Sequence, residues 1–306
     1  MRSIDGGARL LASDQEGGVM SQSRTMRRRR LARALRQYRA TSGMSGEDAA
    51  KALLCGSGTI SRMENGDSSD PLRVRDALRL YGAPEAVVDE MVAIALETRK
   101  RNKPGTVRRP YQDVVPKRLA EYYELEDEAA MVSMLEGECV PGLIQTRAYA
   151  RALISTWDPH VSDDEVDRLL SIRMDRQERL LDDRPLKLRV VLGEAALLTE
   201  VGGQEVLRAQ LDQLATLAHD VANVQVRILP FSSGARPALG RNFTILSFPN
   251  DADPDVIFAE SVTYFVLEDE TAEVDRFRDA YNQLWNMALD ESRSARLIEQ
   301  AASAIK

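Results

Sequence analysis

Three short helical segments between residues 31 and 66 constrain the fold more than any other feature of the chain. The first, LARALRQYRATSG, places Leu31 and Leu35 on one face and arginines on the other, and it stops at Gly43. The apolar run AAKALL follows, and the stretch closes on CGSGTISRMENG, residues 55–66. Helices this short must pack together, and the Cys-Gly turn before the last one predicts a helix-turn-helix.

A phosphate-binding loop is the alternative interpretation of the glycines in CGSGTISRMENG. A Walker loop requires a lysine directly after its last glycine, and residues 55–66 contain no lysine. The dinucleotide fingerprint requires three spaced glycines after a strand, whereas Gly56 and Gly58 follow a segment that is predicted to be helical. These mismatches exclude a nucleotide-phosphate loop at this position.

The predicted third helix offers polar side chains at its start. Ser45 is expected to cap the second helix and Ser57 the third, while Ile60 and Met63 face the core. Such a helix enters the major groove with its first turns, and an arginine can bind guanine through two hydrogen bonds. The predicted DNA contacts from this helix are Ser57, Gly58, Thr59, Ser61 and Arg62.

The charge of the chain is distributed unevenly. Residues 20–109 contain 19 Lys and Arg against 10 Asp and Glu, whereas residues 110–306 contain 20 against 35, and the whole chain has a net charge of −7. Such asymmetry is typical of a protein that meets a polyanion at one end, although solvated helix faces would give the same pattern. The predicted phosphate contacts are Lys51, Arg73, Arg75 and the arginines at 27–30.

Composition changes along the chain predict four regions. Residues 1–23 are expected to be a disordered extension, and residues 24–98 an all-α helix-turn-helix domain of about five helices. Residues 99–110 are basic, contain Gly and Pro, and are interpreted as a linker. Residues 111–306 are expected to form an α/β or α+β domain with a small mixed sheet.

The second half of the chain alternates between strand-like and helical patterns. β-branched and aromatic residues predict strands at 186–192, 224–231, 243–249 and 263–269. Leucines at three- and four-residue steps predict an amphipathic helix at 204–220, which suggests a β-α-β unit with a right-handed crossover. A single closing helix is expected at 271–304, with its apolar side formed by Phe277, Tyr281, Leu284, Trp285 and Ala288.

No set of residues in the second half predicts catalysis, a metal site or a cofactor site, so the chain is not expected to be an enzyme. A helix-start turn at Pro141, Gly142, Gln145 and Thr146 is a candidate ligand or partner site, with a plain helix cap as the alternative. Arg236, in the loop 231–240, is a second candidate. A rival hypothesis is an enzyme whose C-terminal pocket uses Glu194 or Glu260 as a base.

Residues 31–95 resemble the phage-repressor-like, or Xre, helix-turn-helix family. The resemblance rests on LxxxLRxxR in the first helix, TISRxExG in the third helix and the later DALRLYGAP. It implies a structural ion pair between Arg39 and Glu64. The family usually carries Gln where this chain has Gly46, and often a base-reading residue where it has Gly58, so discrimination is expected to rest on fewer contacts and on DNA shape.

Residues 111–298 resemble a C-terminal domain of unknown function that follows Xre-type domains in many actinobacterial regulators. The resemblance is carried by VPGLIQTRAYARAL, IRMDRQERLL, VVLGEAALLTEVGGQEVLRAQLDQL and VQVRILPFSSGARPALGRNFTILSFP, in this order. It implies an antitoxin-like regulator whose gene often lies beside one for a small acidic partner protein.

Together these features predict a DNA-binding transcription regulator that binds double-stranded DNA as a homodimer, because one helix-turn-helix covers only a half-site. The alternative is an antitoxin-like interaction protein that titrates a partner and binds DNA weakly. The longest apolar runs are too short to cross a membrane, and the first residues lack the apolar core of a secretory signal. We therefore expect a cytoplasmic protein.

Overall fold

The computed structural model describes residues 24–68, 70–99, 114–157, 161–250, 253–261 and 264–305. The extension predicted at 1–23 lies outside these residues, and so does all but the first residue of the predicted linker. The four-region division of the chain therefore stays a prediction.

The N-terminal part described here is all-α. Its helices pack around a core of aliphatic side chains that includes Leu31, Leu35 and Met63. The first helix ends at Ser42, and the following Gly43 has a φ of +71°, a backbone conformation that glycine adopts without steric cost. The helices are α1 (Arg24–Ser42), α2 (Gly46–Ala52), α3 (Ser57–Glu64), α4 (Pro71–Leu80) and α5 (Glu85–Arg99).

The C-terminal part is α+β, with a mixed six-stranded sheet among the described residues. The sheet order is β3-β2-β1-β4-β5-β6, in which β1, β2 and β3 run parallel and β4, β5 and β6 are antiparallel to their neighbours. The strands are β1 (Met131–Glu136), β2 (Lys187–Gly193), β3 (Val224–Leu229), β4 (Phe243–Ser247), β5 (Val256–Glu260) and β6 (Phe265–Glu268).

Helices cover both faces of the sheet. One face packs on side chains such as Tyr122, Tyr149, Leu211 and Ile298, and the other face packs on Tyr281 and neighbouring residues of a single helix. The helices are α6 (Lys117–Glu128), α7 (Arg147–Trp157), α8 (Asp163–Gln177), α9 (Gln204–Asp220), α10 (Thr271–Met287) and α11 (Glu291–Ala304). None of the described helices has the length and apolarity that crossing a bilayer requires.

The predicted β-α-β unit is present as β2, α9 and β3, with the two strands parallel and in register from Leu188 and Val224. Two strands were not predicted. β1 consists of MVSMLE, whose Met and Leu residues favour a helix as much as a strand, and four of its six residues are buried so that no alternation shows. β5 is too short to stand out beside Pro254.

The closing helix predicted at 271–304 is wrong as a single element. It divides into α10 and α11 because Ala288 leaves the helical conformation and the Leu289 amide donates to the Ile228 carbonyl of β3 at 2.9 Å. Asp290 then caps α11, since its carboxylate accepts a hydrogen bond from the Arg293 amide at 2.8 Å. The apolar side predicted for this helix does pack on the sheet, with Tyr281 and Leu284 buried.

Helix α1 belongs to both parts of the molecule. Leu31 and Leu35 lie in the N-terminal core, whereas Met26, two turns earlier, is only 1% exposed and packs in the large core of the C-terminal part. An exposed lysine on α6, Lys117, also lies 3.8 Å from Asp67, just after α3. The two parts are therefore joined by packing and charge.

Candidate nucleic-acid interface

Helices α2 and α3 form the predicted helix-turn-helix. Ser45 precedes α2 in an extended conformation, and its hydroxyl accepts a hydrogen bond from the Asp48 amide at 3.1 Å, so it caps the helix. The cap predicted for α3 is wrong by one residue. Gly56 occupies the N-cap position and Ser57 is the first helical residue, which leaves the Ser57 hydroxyl facing solvent.

The two faces of α3 differ in burial. Ile60 and Met63 are each 2% exposed and pack in the N-terminal core. The candidate contact residues Ser57, Gly58, Ser61 and Arg62 are exposed, and Thr59 is half-buried. The helix therefore presents one polar face to solvent, as a helix that inserts into a groove must.

The cationic side chains around α3 differ in what they bind within the protein. In the part of the chain that the structure describes, the side chains of Arg62 and Lys51 make no hydrogen bond or ion pair, and the same holds for the side chain of Arg73 on α4. Arg75 donates to the Asp76 carboxylate at 2.9 Å, so a phosphate would compete with a neighbour for it. Three of the four candidate cations are thus free for a ligand.

An ion pair fixes the end of α3 to α1. Arg39 donates two hydrogen bonds to the Glu64 carboxylate, at 2.6 and 2.9 Å, and a third to the Met44 carbonyl at 2.9 Å. The bond to Glu64 raises the pKa of Arg39 above its ordinary value. The pair predicted between these residues is therefore present, and it connects α1, the α1–α2 loop and α3.

Arg36 makes a second connection to α3. Its guanidinium donates to the Glu64 carbonyl at 2.6 Å. The side chain also lines a groove of about 440 Å³ together with Ser45, Gly46, Ser57 and Ser61. The groove runs along the exposed face of α3 and past the start of α2, so Arg36 borders the candidate interface.

The turn between α2 and α3 contains a strained residue. Leu54 has a φ of +48° and its side chain is 95% exposed. This left-handed conformation costs a leucine free energy that glycine would not lose. Neither burial nor a described contact of the side chain accounts for the choice of leucine.

Two of the arginines at 27–30, which the sequence predicts as phosphate contacts, are paired with carboxylates. Arg29 lies 2.9 Å from the Asp269 carboxylate, and Arg30 pairs with Glu90. Burial lowers the pKa of Arg29, and the charge of Asp269 is the main opposing influence. These two ion pairs were not predicted, because both carboxylates come from distant segments, which local charge counting does not register.

The helix-start turn predicted as a ligand or partner site makes several hydrogen bonds within the protein. Gln145 is 2% exposed and donates to the Val140 carbonyl at 2.6 Å. The Thr146 amide donates to Gln210 at 2.7 Å, and the Thr146 hydroxyl caps α7 by accepting from the Tyr149 amide. Pro141 is buried and Gly142 half-buried, and the polar groups of Gln145 and Thr146 named above already have partners within the protein.

The loop at 231–240 is open to solvent. Arg236 is half-buried and donates only to the Gly234 carbonyl, at 3.3 Å, among the described residues. Glu194 accepts a hydrogen bond from the Phe231 amide at 2.7 Å and so holds the start of the loop. Phe231 and Leu239 are 59% and 61% exposed.

Sequence inspection missed several charged residues that the fold brings together. Glu126 and Arg176 form a buried bidentate pair at 2.7 Å, with Arg176 stacked 4.0 Å from the centre of the Tyr123 ring. Burial, together with the charge of Glu260, raises the pKa of Glu136 to about 8. No local signal marks these residues, because each depends on partners from other elements.

Comparison with known families assigns both parts of the chain. Residues 30–91 match a family described as a helix-turn-helix domain, which supports a DNA-binding regulator. Residues 119–300, more than half of the chain, match a family described as a domain of unknown function (DUF5753). No curated protein and no solved structure matches the chain. The chain therefore belongs to the DUF5753 family and carries a helix-turn-helix domain ahead of that region.

Proposed function

We propose that the protein is a sequence-specific transcription regulator that inserts α3 into the major groove of its operator. The observation that carries this proposal is the exposed face of α3, where Arg62 has no partner among the described residues while Arg39 and Glu64 fix the helix from behind. A cation left free on a rigid support is suited to bind a base edge.

Base contacts would come from one turn of α3. Arg62 would bind guanine through its two terminal nitrogens, and Ser57 and Ser61 would bond bases or phosphates. Gly58 and Gly46 have open space around them, since a Cβ at either position would meet nothing within 4 Å. Packing does not require glycine at these positions. Because glycine has no side chain, the backbone there could approach the DNA closely.

Phosphate contacts would come from Lys51 and Arg73, which flank α3, and from Arg75 once it leaves Asp76. Each phosphate that a cation neutralises releases counterions and makes binding more dependent on salt. One helix-turn-helix covers a half-site, so we propose that the chain binds a two-fold operator as a homodimer. We place this activity in the cytoplasm.

We propose that the C-terminal domain binds a small acidic partner protein. The loop at 231–240 supports this choice, because Phe231 and Leu239 expose apolar surface beside the cations Arg236 and Arg241. Apolar anchors flanked by positive charge suit an acidic partner. A partner of this kind would regulate DNA binding.

The test is a titration of the full chain against DNA from its own promoter and against scrambled DNA, at two salt concentrations. Arg62→Ala is compared with Arg168→Ala, which removes an exposed arginine from α8, far along the chain from α3. We expect the wild type to prefer its promoter about a hundredfold, and Arg62→Ala to remove most of that preference while Arg168→Ala keeps it.

The alternative function is an antitoxin-like protein that titrates a partner and binds DNA weakly. It is favoured by the missing side chains at Gly46 and Gly58. The alternative would be supported if all three proteins bound both DNAs weakly, with equal affinity and only at low salt. That outcome would overturn base recognition by α3.

A further inference from the structure

A stripe of arginines on α1 is docked on the C-terminal domain. Arg29, Arg33 and Arg36 are spaced by four and three residues and so lie on one side of the helix. All three reach the segment that joins β6 to α10. Arg29 and Arg36 bind the Asp269 carboxylate at 2.9 and 2.8 Å, and Arg33 donates to the Thr271 hydroxyl at 2.7 Å.

The carboxylate that receives this stripe is fixed in place. Asp269 is 5% exposed, so little water competes for its oxygens. The Glu268 carboxylate accepts hydrogen bonds from the amides of Asp269 and Glu270, at 2.8 and 2.7 Å, and so holds the turn rigid. The C-terminal domain therefore presents one preorganised anion to two guanidinium groups of α1.

Arg36 connects Asp269 to α3, the helix that would face DNA. One terminal nitrogen binds Asp269, and the other donates to the Glu64 carbonyl at the end of α3, at 2.6 Å. The same side chain borders the groove along Ser57 and Ser61. A single arginine, Arg36, thus bridges the Asp269 carboxylate of the C-terminal domain and helix α3.

DNA phosphates and Asp269 would compete for the Arg36 guanidinium, which borders the groove along α3. While Asp269 holds Arg36, that cation cannot neutralise a phosphate, and the end of α3 keeps a fixed position. Without Asp269, Arg36 would be an additional cation facing the polyanion beside a looser helix. The C-terminal domain would then no longer limit the strength of DNA binding or support its sequence preference.

We propose that Asp269 is a positioning residue for DNA binding, which weakens non-specific attraction by holding Arg36 and sharpens sequence preference by fixing the end of α3. This inference rests on the proposed function. It assigns the C-terminal domain a direct intramolecular action on DNA binding, before any partner is bound.

The first test compares Asp269→Asn with the wild type in the full chain, by titration against promoter and scrambled DNA over a series of salt concentrations. We expect binding to scrambled DNA to strengthen about threefold or more, and the log–log salt slope to steepen by about one unit for each phosphate newly bound. The preference for promoter DNA should fall. The control is Asp275→Asn, which removes an exposed carboxylate of α10 that binds Arg278 rather than α1.

A second variant distinguishes this role from simple destabilisation. Arg36→Gln also breaks the contact but adds no free cation, so its salt slope should equal that of the wild type. A slope that falls by about one unit would show that Arg36 already binds phosphate in the wild type, and would overturn the proposal. Asp269→Asn behaving like Asp275→Asn on both DNAs would also overturn it.

Amide hydrogen exchange supplies a readout that needs no DNA. The amides of Asn65 and Asp67 donate to carbonyls of α3, and both variants at the contact should speed their exchange while Asp275→Asn does not. If the wild type shows no promoter preference, the proposed function fails and Asp269 positions nothing for DNA. Faster exchange in that case would still establish the link between domains, whereas unchanged exchange would overturn the link itself.

Discussion

Helices α1 and α3 both carry arginines, yet the fold uses these side chains differently. On α1, Arg29 and Arg36 are bound to a carboxylate, whereas Arg62 on α3 meets no partner in the described chain. Charge counting predicts the same polyanion contact for both helices. The structure separates cations that hold the protein together from cations that remain free for a ligand.

The difference arises from sequence distance. Arg36 and Asp269 are 233 positions apart, so no window of local sequence contains the pair. A basic stretch is therefore weak evidence for nucleic-acid binding until its carboxylate partners are known. The comparison predicts that bound cations matter for stability and that free cations matter for binding.

The largest effect is expected where the bound cation is most deeply buried. In Glu126→Ala, Arg176 would lose both hydrogen bonds while its side chain stays 12% exposed, so we expect the free energy of unfolding to fall by about 3–5 kcal/mol. Urea denaturation measures this. Glu273→Ala, which breaks an exposed pair with Arg276, is the control and should change little. Equal losses in the two variants would remove the distinction between buried and exposed pairs.

A smaller loss is expected at the junction of α1 and α3. Glu64→Ala removes the two carboxylate oxygens that accept from Arg39 and leaves only the Met44 carbonyl, so we expect a cost of about 2–3 kcal/mol in the free energy of unfolding. Glu85→Ala breaks the exposed pair with Arg79 and should leave the unfolding midpoint unchanged. An unchanged midpoint in Glu64→Ala would show that the pair does not support α3.

Glu136 is a carboxyl group that has no cationic partner among the described residues. Its pKa in the folded protein is about 8, above that of the unfolded chain, so the folded state keeps a proton that the unfolded state releases. Stability should therefore fall as the pH rises from about 4.5 to about 8. Glutamine mimics the protonated form, and Glu136→Gln should be more stable than the wild type by about 1–2 kcal/mol at pH 8, after allowance for partial exposure.

Thermal unfolding at pH 4.5 and pH 8 measures this pH effect, because the two proteins should differ only at the higher pH. Glu138→Gln, at an exposed neighbouring position, is the control. A stability difference that is the same at both pH values would contradict protonation of Glu136 in the folded state.

The smallest effect concerns the turn beside the free cations. Leu54→Gly relieves a left-handed leucine whose side chain makes no buried contact, and we expect a gain of up to about 1 kcal/mol. Leu198→Gly is a matched control, since Leu198 is 62% exposed at a φ of −115°. There glycine should lower stability by about 0.5–1 kcal/mol through the unfolded chain. A loss in Leu54→Gly would indicate that the leucine has a stabilising contact.

Patterns of apolar residues predicted much of the fold. The helices around residues 31–66 and the β-α-β unit follow from periodicity, because each buries one regular face. β1 was missed since it is buried on both faces and contains helix-forming residues. The break before α11 depends on a hydrogen bond from Leu289 to β3, which no local pattern encodes.

The candidate site was predictable only where its residues are close in sequence. The exposed residues of α3 follow from helical spacing, and the pair of Arg39 with Glu64 follows from the family resemblance. The hydrogen bond at the turn of Gln145 and Thr146 was not predicted, because Gln210, which accepts from the Thr146 amide, lies 64 positions beyond Thr146. The role of Asp269 had no sequence signal at all.

The position of α1 also bears on aggregation. β6 is the last strand of the sheet, and a strand edge with free peptide groups is a template for pairing with another chain. Arg29 reaches this strand and lies 3.4 Å from the Leu267 carbonyl, while α6 packs beside it. The first turns of α1 thus cover the exposed edge of β6. A chain cleaved within α1 would expose this edge strand, and we expect it to aggregate more readily.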